Sequence, residues 1–345
     1  MLEVSNCRGR AGRLRYPSPE MPPLASLSGQ KLLVTGAAGF IGARVVAAAC
    51  AAGAEVTALV RPSTSLSRLD PSVRRACAEV LSFEEVRAAV AGASPDIVVH
   101  AAGRADWRQD PSLTLPMMAL HAMGTAHVLE AARQVGCKRM VLVGSSGEYG
   151  DAPNPLHEQG AHRPLDPYST SKLAATELGL TYHRSFGLPT TVVRPFVVYG
   201  PGEPPSRLLP TLLASAARRR SEPEGGEQEA VAFTAGTQLR DFVYVDEVAE
   251  GILRAALCPA APGQVINLGT GVGVRVRDGV ELAIEISGRR VRPEFGKLPM
   301  RPGEPKELVA STERAMALLG WAPSMGLREG LEAFWSHLCS ELRNP

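Results

Sequence analysis

Tyr168-Ser169-Thr170-Ser171-Lys172 sets a phenol and an ammonium four residues apart, a spacing that puts both on one face of a helix. An unperturbed tyrosine has a pKa of about 10, and a neighbouring cation favours its phenolate. The pair is therefore suited to exchanging a proton with an alcohol or sugar oxygen. Far upstream, Gly36, Gly39 and Gly42 frame the turn Gly36-Ala-Ala-Gly39-Phe40-Ile41-Gly42. Between a strand and a helix, such a turn lets backbone N–H groups and a helix N-terminus approach a pyrophosphate. By itself the turn also suits tight strand-to-helix packing. Together with the tyrosine and lysine, it points to hydride chemistry.

Those groups need a scaffold, and the hydrophobic pattern supplies one. From Lys31 onward, short β-branched runs alternate with longer alanine-rich stretches, the pattern of a parallel sheet covered by helices on both faces. Strands are expected at 31–35, 55–60, 76–80, 97–100, 139–143, 190–194 and 264–267, and helices at 41–52, 83–91, 113–135 and 168–186. The continuous apolar run Ile97-Val98-Val99 suits a strand buried on both faces. After Pro201 the prolines 204, 205 and 210 break the alternation. The expected fold is α/β, a Rossmann-type doubly wound parallel sheet with a smaller C-terminal α/β substrate lobe. Residues 28–200 form the dinucleotide-binding domain, 240–270 return to it, and 201–345 make up most of the second lobe. Residues 1–27, with several arginines and prolines and no apolar core, read as a disordered leader, and 218–229 as a mobile surface loop.

The chain of 345 residues carries a formal net charge of +2, and its basic residues are mostly dispersed, which argues against a nucleic-acid partner. Six cysteines lie far apart with no CxxC pair, so neither a metal site nor a disulfide framework is expected, and a reducing cytoplasm fits. The alanine-rich stretch 43–54 is interrupted by Arg44 and falls short of the roughly 20 apolar residues that a membrane span needs.

The GxxGxxG spacing of the glycine turn resembles that of the extended short-chain dehydrogenase/reductase family, the nucleotide-sugar epimerases, dehydratases and reductases. The resemblance covers about residues 31–331. It extends to Val141-Leu-Val-Gly-Ser145-Ser146-Gly-Glu148-Tyr149-Gly150, to Val193-Arg194-Pro195-Phe196-Val197-Val198-Tyr199-Gly200, to Gln238-Leu-Arg240-Asp241-Phe242 and to Arg301-Pro-Gly-Glu304. It implies that Ser145, Tyr168 and Lys172 are catalytic: Ser145 binds the reacting oxygen, Tyr168 moves the proton, and Lys172 holds the nicotinamide ribose. Ser146 is the neighbour able to share the serine role.

The same resemblance assigns Gly36, Gly39, Phe40, Ile41, Gly42, Ala101, Ala102, Gly103 and Pro195 to the cofactor, with Glu79 and Val80 at the adenine. Arg61 stands at the end of the second strand, where selection of NAD usually requires an acid, so NADP(H) is the expected cofactor and NAD(H) the alternative. Substrate contacts are expected from Ser145, Ser146, Tyr149, Val197, Arg240 and Arg301, the two arginines suiting the diphosphate of a nucleotide sugar. Glu148 is expected either at the substrate or in solvent. Tyr149 is expected to line the sugar pocket or to pack the turn. His121, where relatives carry Asn, stays outside the expected site.

The expected reaction is hydride transfer at C4 of a nucleotide-diphosphate sugar. A 4-ketoreductase using NADPH is favoured, with an NAD-dependent 4-epimerase as the alternative and a non-catalytic NADP(H) sensor as the reading from another class. Ser146-Gly147 stands where the family's dehydratases have Asp-Glu, which disfavours a 4,6-dehydratase. A homodimer through the two long helices completes the expectation.

Overall fold

The computed structural model describes residues 22–219 and 228–342. Its centre is a seven-stranded sheet, parallel throughout, made of β1 (Lys31–Thr35), β2 (Glu55–Val60), β3 (Arg74–Cys77), β4 (Ile97–His100), β5 (Arg139–Val143), β6 (Thr190–Pro195) and, much later in the chain, Val265–Leu268. From one edge the order runs from Val265–Leu268 through β6, β5, β4, β1 and β2 to β3. The chain therefore winds outward in both directions from the paired strands β1 and β4. In open α/β sheets, such a reversal opens a crevice at the carboxyl ends of the strands.

Helices cover both faces. Helix α1 (Phe40–Ala51) packs on one face. On the other lie α2 (Phe83–Ala93), the helical run α3 (Thr114–Met117) and α4 (Gly124–Gln134) joined by a π-helical turn (Met118–Met123), and α5 (Pro167–Phe186). Tyr168 and Lys172 lie on α5, where Asp166 caps the first turn by accepting from the Ser169 N–H at 2.8 Å and Pro167 supplies a preset first φ. Gly187 ends the helix in the left-handed region, at φ 71°.

The second lobe is built from β7 (Val197–Tyr199), α6 (Leu208–Arg218), β8 (Glu229–Phe233), β9 (Leu239–Arg240) and β10 (Phe242–Tyr244). The chain then returns to the sheet through α7 (Val245–Leu257), which packs on α1, and β11 (Val265–Leu268), the edge strand named above. It continues through β12 (Val274–Arg275), α8 (Val276–Ile286), β13 (Val291–Phe295), β14 (Glu307–Leu308), α9 (Glu313–Leu319) and α10 (Leu327–Glu341). Leu212, Phe242, Val280, Leu331 and Phe334 belong to the core of this lobe, whereas Ala315 and Leu318 of α9 join the α1 side of the sheet.

Three local expectations shift. The third strand, expected at 76–80, ends at Cys77. Ala78 and Val80 are buried, and Val80 lies against Gly124 at the start of α4, so their apolar pattern reflects packing under a helix. The helix expected over 113–135 is broken into α, π and α segments. The leader expected through residue 27 lies outside the described residues as far as 21, but Leu24–Leu27 form a 3-10 turn that buries Leu27. Of the loop expected at 218–229, residues 220–227 are outside the described residues. Among the described residues, Cys50, Cys77, Cys137, Cys258 and Cys339 are free, no group of side chains could hold a metal ion, and no helix is long and apolar enough to cross a membrane.

One ion pair ties the sheet to the Ser145 turn. Arg194 on β6 and Glu148 are both fully buried. Arg194 donates through Nε to Glu148 Oε2 at 2.8 Å, with Nη2 2.7 Å from the same oxygen. Oε2 also accepts from the Thr176 hydroxyl of α5 at 2.9 Å, and Oε1 accepts from the Ser145 N–H at 2.8 Å. Removing one member of such a pair strands the other charge. Glu148→Ala is expected to cost about 3–5 kcal/mol of stability in denaturant titration, and Glu148→Gln less, because the amide keeps an acceptor for Ser145.

Candidate active site

A cleft of about 1060 Å³ opens beyond the carboxyl ends of β1 and β4 and runs between the two lobes. The glycine turn forms one end. Gly36 has φ 66°, and a Cβ there would lie 2.7 Å from the backbone of Ala101 and Ala102, so only glycine lets the loops after β1 and β4 meet. A Cβ on Gly42 would fall 2.1 Å from the Gly36 carbonyl. Gly39 begins α1 without a side-chain cap, and the first intrahelical bond recorded runs from the Ala43 N–H to the Gly39 carbonyl. The N–H groups of Phe40, Ile41 and Gly42 thus have no acceptor inside the helix. No acidic side chain stands in that first turn. This is a cradle for an anion at a helix N-terminus, and it fits a dinucleotide pyrophosphate.

Beside it, Ser145, Ser146, Tyr168 and Lys172 line the same cleft, together with Pro195 and Val197. Ser145 caps a short 3-10 turn (Ser146–Tyr149): its hydroxyl oxygen accepts from the Gly147 N–H at 3.1 Å, which leaves the hydroxyl proton to donate. Capping and catalysis therefore do not compete for this residue.

The electrostatics of the tyrosine and lysine differ from the expectation. Burial pushes the Tyr168 phenol up to about 12, opposed by the Ser145 side chain and by the charge of Arg207. Burial also pulls Lys172 down to about 8, and its Nζ donates to the Val143 carbonyl at 2.8 Å. The lysine is thus anchored to the end of β5, and the charge that favours the phenolate is that of Arg207. Trp107 meets the Tyr168 ring edge-on at 5.3 Å, and the Arg207 guanidinium lies 4.1 Å over the Trp107 ring.

His121, left outside the expected site, adjoins it. The π turn carries its ring edge-on to Tyr168 at 5.3 Å. Its Nε2 accepts from the Arg104 N–H at 3.2 Å, so the proton sits on Nδ1 and goes to the Ser171 oxygen 2.8 Å away; that hydroxyl donates to the Tyr168 carbonyl at 2.7 Å. Burial and the charge of Lys172 push the imidazole to about 2, so it stays neutral.

At the far end, Arg240 and Arg301 line the cleft. Glu304 accepts from both through the same Oε1, at 2.7 Å from Arg240 and 3.0 Å from Arg301. The acid fixes both guanidinium groups and removes one of the two charges expected for a diphosphate. Asp241 holds the lobe together by accepting from the N–H groups of Thr270, Gly271 and Ala310. Asp246 pairs with Arg44 of α1.

The structure brings Gly36, Gly39, Phe40, Ile41, Gly42, Ala101 and Gly103 to the cleft, but not every expected contact. Ala102 turns its N–H to the Thr35 hydroxyl at 3.2 Å and does not line the cleft. Arg61 is exposed and lies outside the lining, as do Glu79 and the buried Val80. Tyr149 is fully buried: its hydroxyl donates to Asn267 at 2.7 Å, and its ring packs by Arg194 and Phe196, away from the cleft. Glu148 is neither in solvent nor at the cleft. Sequence reasoning missed Arg68, Trp107, Glu203 and Arg207, all of which line the cleft from loops or at a helix start. Their positions follow from how loops fold back, for which no periodic signal exists.

A doubly wound sheet with a dinucleotide cradle at its reversal point, and a serine, tyrosine and lysine beside it, defines an extended short-chain dehydrogenase/reductase acting through a nicotinamide cofactor. The chain belongs to the NAD dependent epimerase/dehydratase family, whose model matches residues 32–269. It is an enzyme of the nucleotide-sugar epimerase/dehydratase type. It is 30% identical over 256 residues to the UDP-glucuronate 4-epimerase of Thermodesulfobacterium geofontis, covering 74% of this chain and 76% of the relative. It is also 30% identical over 329 residues to the GDP-6-deoxy-D-mannose reductase of Pseudomonas aeruginosa, covering 91% and 99%. Among solved structures, the Thermus thermophilus UDP-glucose 4-epimerase complex with NAD superposes with a TM-score of 0.76 at 30% identity, covering 89% of this chain and 98% of that one.

The buried lysine has a consequence for stability. Unfolded, it keeps its proton up to an ordinary pKa of 10.5; folded, only up to about 8. Unfolding therefore takes up a proton between those values, and stability rises with pH across that window. Below pH 8 the desolvated ammonium costs on the order of 3 kcal/mol. Lys172→Met is expected to gain about 1–3 kcal/mol at pH 7, less after the loss of the Val143 bond, while activity collapses. Denaturant titrations at pH 7 and pH 10 check this: the gain must shrink at the higher pH.

Proposed function

We propose that this enzyme is an NAD-dependent 4-epimerase of a nucleoside-diphosphate hexose. The observation that carries this reading is the gathering of Ser145, Tyr168 and Lys172 beside the dinucleotide cradle, in a cleft whose far end presents Arg240 and Arg301. The relatives named as UDP-sugar 4-epimerases support the same reading. Arg240 and Arg301 hold the diphosphate, and the hexose extends from there towards Tyr168.

A nicotinamide held beside Tyr168 would supply the redox chemistry, taking a hydride from C4 of the sugar and giving it back to the opposite face of that carbon. Tyr168 takes the proton from the 4-hydroxyl oxygen and gives it back, while Ser145 donates a hydrogen bond to that oxygen as its charge changes. For the phenol to act near neutral pH, its pKa must fall from about 12. The positive charge of a bound nicotinamide would favour the phenolate, and Lys172, whose ammonium lies on the Val143 carbonyl, is the residue that would hold the ribose. The cradle at α1 and the Arg68 side chain, which lies by Phe40 and Gly202, take the cofactor diphosphate.

A 4-ketoreductase is the second reading, favoured by the reductase relative that matches over 91% of this chain. Nucleotide released from purified, denatured protein distinguishes the two. Bound NAD, together with interconversion of UDP-glucose and UDP-galactose or their GDP or dTDP counterparts, supports the epimerase. An empty site with NADPH-dependent reduction of a 4-keto sugar overturns it. Tyr168→Phe should lower kcat by roughly 10²–10⁴-fold without releasing the cofactor.

We infer a homodimer through the helical run from α3 to α4 and through α5, on which Leu115, Met123 and Phe186 are exposed. Light scattering is expected to give twice the 36.5 kDa chain mass; a monomer mass overturns this.

A further inference from the structure

Arg207 differs from the arginines around it. Arg240 and Arg301 share Glu304, and Arg104 and Arg108 share Asp106. The half-buried Arg207 guanidinium lines the cleft and rests instead on an aromatic face, its Cζ lying 4.1 Å from the centre of the Trp107 ring. A cation in that place is held by the ring quadrupole, more strongly as water is excluded. The backbone beneath it is fixed as the start of α6: the Arg207 N–H donates to the Pro204 carbonyl at 3.0 Å, and the Arg207 carbonyl accepts from the Thr211 N–H at 3.0 Å. Trp107 follows Asp106, whose pairs with Arg104 and Arg108 brace the loop after β4. The stack therefore crosses the cleft, with the indole on the first lobe and the guanidinium on the second.

Trp107 meets Tyr168 in turn, with ring centres 5.3 Å apart and planes at 81°. Leu113 and Met117 pack in the same apolar cluster. A cation, an indole and the phenol thus touch in series. The other groups around Tyr168 supply no free positive charge. Lys172, on the same helix, is committed to the Val143 carbonyl, and His121 of the π turn is neutral. Asp166 at the start of α5 and Glu148 in the Ser145 turn oppose ionisation, and Ser145 offers a hydrogen bond without a charge. Glu203, which acts on Arg207, is pushed up to about 8 by burial, so at neutral pH it is largely protonated and does not cancel the guanidinium. Arg301, which also acts on Arg207, is held by Glu304. We propose that Arg207 is a positioning residue: held flat on Trp107, it sets a charge from the second lobe beside the Tyr168 phenol and brings the phenolate within reach near neutral pH. This rests on the reading of Tyr168 as the group that moves the proton, and it holds for the epimerase and the reductase alike. Because cation and phenol sit on different lobes, the tyrosine is tuned by their apposition.

The test is the pH dependence of kcat, measured on the full chain with its cofactor for whichever of the two reactions the enzyme performs. A cation held at this range, with an effective dielectric of about 20, moves a neighbouring pKa by about one unit. Arg207→Met keeps an aliphatic stem on Trp107 and removes the charge. It is expected to move the Tyr168 limb of the profile up by about one pH unit, which lowers an epimerase about tenfold on the acid side and leaves its plateau within about threefold. In a reductase the same limb lies on the alkaline side and moves the same way. Arg207→Lys should hold the midpoint within about 0.3 unit, because the charge is kept. Trp107→Leu, which releases the guanidinium, should reproduce much of the shift, and adding Arg207→Met to it should change little more. The same midpoint is read without turnover from the NMR signal of Tyr168 in protein made with ring-labelled tyrosine, identified by its loss in Tyr168→Phe.

An unmoved midpoint in Arg207→Met overturns the proposal, and so does a lowered plateau with the midpoint in place, which marks a merely structural role. A loss of about tenfold or more in affinity for free UDP, GDP or dTDP in Arg207→Met overturns it as well, since the guanidinium would then serve the substrate diphosphate. Failure of the underlying reading is a separate result: full turnover by Tyr168→Phe overturns the role of Tyr168, and this proposal with it. Lost turnover in Tyr168→Phe beside an unmoved midpoint in Arg207→Met overturns this proposal alone.

Discussion

The buried pair of Glu148 and Arg194 is the interaction on which the site depends. The carboxylate takes bonds from β6, from α5 and from the backbone of Ser145, so a single group fixes a strand, a helix and a turn relative to one another. Desolvating two charges is expensive, and a hydrophobic pair of the same shape is often as stable. What the ion pair adds is direction. An apolar contact at this place would tolerate sliding, whereas a carboxylate with both oxygens occupied holds Ser145 in one orientation relative to α5, and with it the distance to Tyr168. Tyr149, His162 and Asn267 extend the same network to the edge strand, since Arg194 also reaches His162 and Tyr149 bonds to Asn267.

A second constraint is steric. The loops after β1 and β4 approach so closely at Gly36 that no side chain fits between them. The same crowding puts the bare N-terminus of α1 at the mouth of the crevice. Recognition of an anion and closure of the sheet thus arise from one feature. The catalytic groups then sit in a dry environment that works against their charges, raising the tyrosine and lowering the lysine.

How much of this was legible depended on whether a residue's role was local. The strands and α5 follow from apolar runs and from the Asp166-Pro167 start signal, and the spacing of Tyr168 and Lys172 is a property of any helix. Ser145 was found through resemblance, and its capping bond is equally local. The failures were contextual. Ala78 and Val80 look like strand residues because a helix covers them. Tyr149 and Glu148 sit in a motif rich in polar groups, and only the fold reveals that β6 brings Arg194 beneath them. Glu203, Arg207 and Trp107 lie on segments whose course depends on contacts distant in sequence, so nothing nearby marks them.

The return of the chain to its first lobe has a consequence for synthesis. Strand β6 is complete at Pro195, but its outer neighbour β11 begins only at Val265, after much of the second lobe has been made. Until then a row of unpaired backbone groups on β6 lies open, and an apolar parallel edge is a template for pairing with other chains. Helix α9 then packs on the same lobe later still. A ribosome-bound intermediate of this enzyme therefore carries a complete cofactor turn and an unfinished sheet, and its exposure to misassembly is set by translation speed between those two strands.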